Sequence, residues 1–257
     1  MNYETRFGGI SRLFGISSQK KLANSHVCII GLGGVGSWAV EALARSGVGE
    51  LTLIDMDEIC VTNTNRQLHA LEDTIGKSKG MLLEQRVKLI NPDIKVNCID
   101  DFLTEKTLES YLSQEYSYIL DCIDGVKHKC DLINYCYQNK KKLITVGAAG
   151  GKQDPTQICV DDLSRTINDM LLTRVRKKLR QNYRFPRGAK KFKIMSVYSK
   201  ELAYYPQAQG EVCQNKESAN GKNLDCETGL GTATFLTGSM GFFAASYVVK
   251  EICQNVD

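Results

Sequence analysis

A chain of 257 residues, 42% hydrophobic and 24% charged, is long enough to bury a full core and has the composition of a soluble globular protein. Its ten cysteines contain no C-x-x-C pair, which argues against a zinc ribbon or a thioredoxin-type redox motif; residues 1–22 are polar, so no secretory leader is expected, and reduced cysteines in the cytoplasm are the natural reading. The net charge of +4 hides an asymmetry: segment 165–200 holds twelve Lys or Arg and one acid, a surplus of eleven, leaving −7 on the rest, which points to a polyanionic partner.

Residues 1–25 form an N-terminal arm, with apolar Phe7, Ile10, Leu13 and Phe14 but too few residues for a core. Stretch 26–30, rich in Val and Ile, reads as a buried strand. The run Gly31-Leu32-Gly33-Gly34-Val35-Gly36-Ser37 follows, then a helix over 38–46 and a strand over 51–54 ending in Asp55. A helix is predicted over 76–90, stopped by Asn91-Pro92, then a strand over 94–99, a helix over 103–112, a strand over 118–120, a helix over 127–139 and a strand over 143–146. Repeated βαβ units imply an α/β, Rossmann-like, doubly wound and mainly parallel sheet, with ligand at the carboxyl ends of its strands.

Beyond Gly147-Ala148-Ala149-Gly150-Gly151 the rhythm changes. A helix is expected over 164–181, with Ile167, Leu171, Val175 and Leu179 on one stripe. A basic loop over 182–193, a strand over 194–198 and an irregular stretch over 201–223 come next. Segment 228–249 carries no charge; a buried helix or a subunit-interface helix is the stronger reading and a membrane span the lesser one. The expected organisation is a nucleotide-binding domain with its arm over 1–160, and a C-terminal basic and helical extension over 161–257 packed on it as one unit.

Strand, glycine turn and helix N-terminus make a phosphate cradle, because the backbone N–H groups and the helix dipole both favour an anion. Gly31, Gly33 and Gly36 fit the dinucleotide fingerprint, with Gly34 and Ser37 in the same turn, and Asp55 lies nineteen residues past Gly36, where a ribose-binding acid belongs. Asp57 is placed to orient backbone or basic groups. Polar run 61–67 supplies Asn63, Asn65 and Arg66, whose planar fork suits phosphate oxygens. Lys79 offers a second cation, and Asp124 is a candidate carboxylate for Mg²⁺. A dehydrogenase needs only the turn and the ribose acid. Two cations and a metal-binding acid are what ATP chemistry requires as pyrophosphate leaves.

Five separated motifs resemble those of the ubiquitin-activating-enzyme-like adenylating superfamily: the glycine turn, Leu53-Ile54-Asp55-Met56-Asp57, Asn63-Thr64-Asn65-Arg66-Gln67, Lys79 and Asp121-Cys122-Ile123-Asp124. The resemblance implies Mg-ATP in the crevice, transfer of AMP to a carboxylate, and a homodimer in which an arginine of the neighbouring arm, Arg6 or Arg12, reaches the triphosphate. Members that adenylate sulfur-carrier proteins usually hold zinc through two C-x-x-C pairs, which are missing here. The basic insert, loops 147–151 and 154–158 and tail 224–231 resemble instead a tRNA-modifying branch that cyclises a threonylcarbamoyl group on adenosine. That resemblance implies a tRNA partner gripped by 165–200, with Tyr183, Phe185 and Phe192 interleaved for base contact. The alternative is adenylation of a small carrier protein, with a cysteine desulfurase or other sulfur-acceptor system as partner. Cys122, Cys213 and Cys226 are the candidate nucleophiles; Cys122 reads as strand packing, and Cys226 is retained because it sits in the tail motif.

Overall fold

Parallel strands buried on both faces read as continuous apolar runs, and the central strands do so. In the computed structural model, which describes residues 3–207, 210–214 and 230–254, Val27, Cys28, Ile29 and Ile30 of β1 (His26–Ile30) are all essentially inaccessible. The remaining strands of the sheet are β2 (Glu50–Ile54), β3 (Lys95–Ile99), β4 (Tyr118–Asp121), β5 (Leu143–Val146), β6 (Ile158–Asp162) and β7 (Met195–Ser199). They lie in the order β3-β2-β1-β4-β5-β7-β6, and every neighbouring pair is parallel except β6 with β7. Strand order reverses between β1 and β4, which opens a crevice at their carboxyl ends.

Alternation along each strand divides the core in two. Val27, Ile29, Leu51 and Leu53 face one layer with helices α4 (Gly36–Arg45), α5 (Lys79–Ile90) and α9 (Thr234–Gln254). Cys28, Ile30, Ile54 and Ile119 face the other, with α6 (Leu108–Leu112), α7 (Val126–Gln138) and α8 (Met170–Asn182). The α9 helix lies along α4, and glycines permit the approach: a Cβ on Gly241 would sit 2.6 Å from the Val35 carbonyl oxygen, and one on Gly238 would meet the Trp38 ring at 3.6 Å. Most of the uncharged stretch is therefore buried helix, and no described helix is long and apolar enough to cross a membrane.

The arm folds as three short helices, α1 (Tyr3–Arg6), α2 (Gly8–Phe14) and α3 (Ile16–Ala23). It packs on its own chain: Phe7 is buried, and the Tyr3 hydroxyl donates to the carbonyl of Gly47, a residue at φ +83°.

Several expectations are corrected. The helix predicted over 164–181 begins at Met170, because Asn168 adopts a left-handed φ of +54° and Asp169 caps the helix, accepting from the Leu172 amide at 2.8 Å. Ile167 is consequently 52% exposed rather than on the buried stripe, which is Leu172, Val175 and Leu179. Helix 103–112 shrinks to α6, as Thr104 and Thr107 bond to each other and to the local backbone. Strand β6 was not anticipated, and the stretch expected to be irregular includes a small hairpin of β8 (Tyr205–Pro206) and β9 (Val212–Cys213).

Candidate nucleotide site at the glycine turn

The turn between β1 and α4 needs glycine at two places for steric reasons. Gly31 has φ +87°, and a Cβ there would lie 2.9 Å from the Cys122 carbonyl carbon and oxygen; on Gly36 it would fall 1.8 Å from the Gly31 carbonyl oxygen. Gly34 abuts the Arg66 Cγ and Thr237 Cγ2, each 3.1 Å from its notional Cβ. At Gly33 only Gln67 comes near, at 3.8 Å, so the protein itself does not demand a glycine there, and a side chain would fill the cradle. The α4 N-terminus has no side-chain cap, leaving its first amides to an anion.

Asp55 secures the turn. Its Oδ2 accepts from the Leu32 amide at 2.6 Å and its Oδ1 from the Asp57 amide at 2.8 Å. Burial raises its carboxyl above the usual range, against the pull of these two amides and of Lys79. Each oxygen keeps acceptor capacity, so a ribose hydroxyl can still bind. Asp57 pairs with the Lys79 ammonium at 2.7 Å; the lysine is 6% exposed, the aspartate 57%. Ser78 caps α5 and thereby sets Lys79 in its first turn.

Arg66 lies directly over Gly34. Its carbonyl accepts from the Trp38 indole at 3.1 Å and from Thr237 at 3.3 Å, while its guanidinium bends back to the Thr62 carbonyl and the Asn65 side chain. Asn63 and Asn65 act first on the protein: Asn63 Oδ1 accepts from the Cys60 amide, and Asn65 donates to the Thr232 carbonyl at 2.9 Å, fastening the segment that leads into α9. Ser37 is corrected as a ligand contact. It is wholly buried, and its hydroxyl accepts from the Leu68 amide at 3.3 Å, so it holds the loop rather than facing the crevice.

Asp124 is exposed on the loop after β4, the same loop whose Cys122 presses on Gly31. That loop is held from below by an ion pair absent from the candidates above. Lys129 and Asp121, both fully buried, meet at 2.9 Å; Lys129 also donates to the Ile123 carbonyl at 2.7 Å, and Asp121 accepts from Thr145 and the Ile123 amide. The signal was present in the sequence, since Lys129 shares a helical stripe with Leu132, Ile133 and Cys136. A second missed residue, Asp169, ties the start of α8 to the carboxyl end of β5 through the Ala148 amide at 2.9 Å, with burial raising its carboxyl.

Arg6 and Arg12 do not join the crevice of their own chain. Arg6 donates to the Ile90 carbonyl and sits in a depression with Arg45 and Arg86, by the last turn of α4, the end away from the glycine turn; Arg12 is exposed on α2. Phe185 and Phe192 are also corrected: both are buried and meet edge to face with centroids 5.1 Å apart, and Tyr183 bonds to Asp131, so these rings serve the core while the cations between them face solvent. Cys122 packs against the turn with its thiol pushed up by burial, as expected of a packing residue. Cys226 and the tail from 224 to 229 lie outside the described residues.

These residues fit a nucleoside triphosphate: an uncapped helix N-terminus, an open Gly33, two cations, and an unpartnered buried oxygen on Gln67 beside the turn. Among the described residues no three His, Cys, Asp or Glu cluster as a metal cage. A single carboxylate such as Asp124 suits Mg²⁺ that takes its other ligands from phosphate and water.

A family model described as the ThiF family matches residues 9–256. The tRNA threonylcarbamoyladenosine dehydratase of Haemophilus influenzae is 52% identical over 255 residues, covering 99% of this chain and 95% of that one. The protein of the same name from Escherichia coli is 46% identical over 252 residues, covering 97% and 94%. A crystal structure of the E. coli tRNA N6-threonylcarbamoyladenosine dehydratase in complex with ATP matches with a TM-score of 0.87 at 43% identity, over 97% of this chain and 94% of that chain.

Proposed function

This chain belongs to the ThiF family, and we propose that it uses ATP to dehydrate the threonylcarbamoyl group of a tRNA adenosine. The observation that carries the reading is the convergence of the glycine turn, Arg66, Lys79 and Asp124 at the reversal of strand order, in a chain similar over almost its whole length to enzymes of that name. Mg²⁺ held by Asp124 would neutralise charge on the phosphates.

The threonylcarbamoyl group ends in a carboxylate, which is a poor electrophile. Its oxygen attacks the α-phosphorus and pyrophosphate departs, with Lys79 and Arg66 placed to stabilise the charge that develops on the leaving group. A nucleophile of the same modification then attacks the acyl carbon and closes a ring, and AMP leaves with the former carboxylate oxygen. The net loss is one water. Tethering supplies the proximity for the second step, so no enzyme cysteine is needed. The scheme balances without sulfur or electrons.

The tRNA surface in this reading is α8 and its following loop. Arg176, Lys177, Arg180 and Arg187 line a shallow depression of about 390 Å³ with Thr173 and Gln181. Arg176 is held by Thr166 and Thr173; Arg180 lies 5.1 Å over the Phe192 ring and donates to the Pro186 carbonyl. None of the four has a carboxylate partner within 4 Å among the described residues, so their charge is free for phosphate. A homodimer completes the reading: the arm arginines of a second copy supply the trans contact, and the exposed Phe235, Phe242 and Phe243 of α9 are suited to a subunit interface.

Incubation with ATP and tRNA bearing the threonylcarbamoyl group should release AMP and yield the dehydrated nucleoside by mass analysis. AMP release stimulated only by a carrier protein would instead establish the second reading. Arg66→Ala and Asp124→Ala should each abolish AMP formation in a folded protein. Affinity for tRNA should fall steeply with salt, and a flat response would refute the role of α8.

A further inference from the structure

Arg66 stands on a loop, and loops are the mobile parts of a fold, whereas a cation that stabilises a leaving group must be held closely in place. Two ties hang this loop from the first turn of α4, the helix whose N-terminus forms the phosphate cradle. The Trp38 indole N–H donates to the Arg66 carbonyl at 3.1 Å, and the Ser37 hydroxyl accepts from the Leu68 amide at 3.3 Å. They come from consecutive residues of α4 and straddle Gln67 on the loop. The helix that locates the phosphates therefore also locates the arginine.

Helix α9 seats the indole. A Cβ on Gly238 would already touch the Trp38 ring at 3.6 Å, so a longer side chain there would displace it, and Phe242 meets the ring edge-on with centroids 6.0 Å apart. The Thr237 hydroxyl also reaches the Arg66 carbonyl, at 3.3 Å, but its single proton is shared with the Ala233 and Thr234 carbonyls at 3.4 and 3.3 Å. The indole N–H donates to no other acceptor among the described residues, which makes it the firmer bond. Beyond this anchored carbonyl, the guanidinium Nη1 donates only to its own loop, to the Thr62 carbonyl at 2.8 Å and the Asn65 side-chain oxygen at 3.0 Å. Rotation of the side chain alone can carry it to a phosphate, provided its backbone stays in place over Gly34.

We propose that Trp38 is a positioning residue for Arg66: its indole N–H fixes the arginine's backbone over the glycine turn, so that the guanidinium turns from Thr62 onto phosphate about a stationary pivot. The assignment rests on ATP occupying that turn, and ATP binding by the wild-type protein tests this separately.

Trp38 is the only tryptophan of the chain, which gives one indole signal to follow. Replacing it with β-(3-benzothienyl)alanine keeps the shape of the ring and removes the N–H; Trp38→Phe removes the donor with an ordinary residue. Both are compared with wild type in melting temperature, ATP affinity by calorimetry, and single-turnover release of pyrophosphate with threonylcarbamoyl-bearing tRNA. Release should slow by ~10-fold, the loss of one hydrogen bond that holds the group acting on developing charge. ATP affinity should fall by less than about threefold, because that charge is absent from the ground state. Thr237→Val should slow release by less than about threefold, its proton being shared. Linkage is reciprocal, so ATP should slow hydrogen exchange of the indole N–H, read by NMR, by the same modest factor, and in Arg66→Ala saturating ATP should leave the rate unchanged. A wild-type rate of release in the folded benzothienyl variant would overturn the proposal. So would a loss confined to ATP affinity, a larger effect from Thr237→Val, or slowed exchange that persists in Arg66→Ala. Failure of both Trp38 variants to fold assigns the ring to packing and also overturns it. Absence of ATP binding by wild type would sink the nucleotide reading itself.

Discussion

Replacing Lys129 with Met removes a charge of similar shape from beneath the Asp121–Asp124 loop. Asp121 and Lys129 are both fully buried, so the remaining carboxylate gains no compensating water. Breaking a buried pair from one side typically costs about 3–5 kcal/mol. Here Asp121 keeps its bonds from Thr145 and the Ile123 amide, which favours the lower end, while the Ile123 carbonyl loses a 2.7 Å donor and adds to the cost. The net expectation is about 3–4 kcal/mol, or a fall in Tm of roughly 10 °C for a chain of this size. The assay is urea unfolding at neutral pH, followed by circular dichroism, together with AMP formation. Because this loop carries Asp124 and presses on Gly31, activity should fall even where the variant is fully folded. The double variant Lys129→Met/Asp121→Leu should recover stability, since no charge is then buried alone, but not activity. A destabilisation below about 1 kcal/mol in the single variant would falsify the claim that this pair holds the loop.

Two further outcomes follow from the same geometry. Gly36→Ala places a Cβ 1.8 Å from the Gly31 oxygen, so the turn must open; ATP affinity by calorimetry should fall by ~100-fold or more while the circular dichroism spectrum is retained. For His69, the native pKa of about 4 lies below the unfolded value near 6.5. The unfolded chain therefore binds the proton first, and stability is full above pH 6.5 and lost as pH falls toward 4. At pH 5 this amounts to about 2 kcal/mol, and His69→Gln should show a correspondingly smaller loss between pH 7.5 and 5 in urea midpoints; equal losses would refute it.

The first half of the chain was legible because its signals are steric or periodic. Gly31 and Gly36 are required by the turn itself, and strands β1, β2, β4 and β5 are buried on both faces, so their Val, Ile and Leu runs have no competing reading. Asp55 and Asp57 follow from that register at the carboxyl end of β2, while Arg66 and Lys79 come from the polar run and the helix start that succeed it. What sequence reading missed depends on tertiary partners. Strand β6 ends in Asp161 and Asp162, and the latter is buried only because the Phe192, Lys193 and Ser164 amides converge on it. Phe185 and Phe192 looked like nucleic-acid contacts because the cations around them dominate the local composition. The core beneath α8 decides otherwise. Ser37 looked like a ligand because of its place in the turn, although the fold directs its hydroxyl to Leu68.

The attachment of α9 to the phosphate loop bears on the order in which the protein can be made. Asn65 holds the Thr232 carbonyl, Thr234 donates to the Asn65 carbonyl at 2.5 Å, Thr237 supports Arg66, and Gly241 lies against Val35. The glycine turn leaves the ribosome about two hundred residues ahead of the helix that braces it. A nascent chain can therefore pair its parallel strands early, but its nucleotide crevice stays unbraced until α9 emerges. Chain termination before α9 yields a sheet whose crevice is unbraced, which couples translation through α9 to activity.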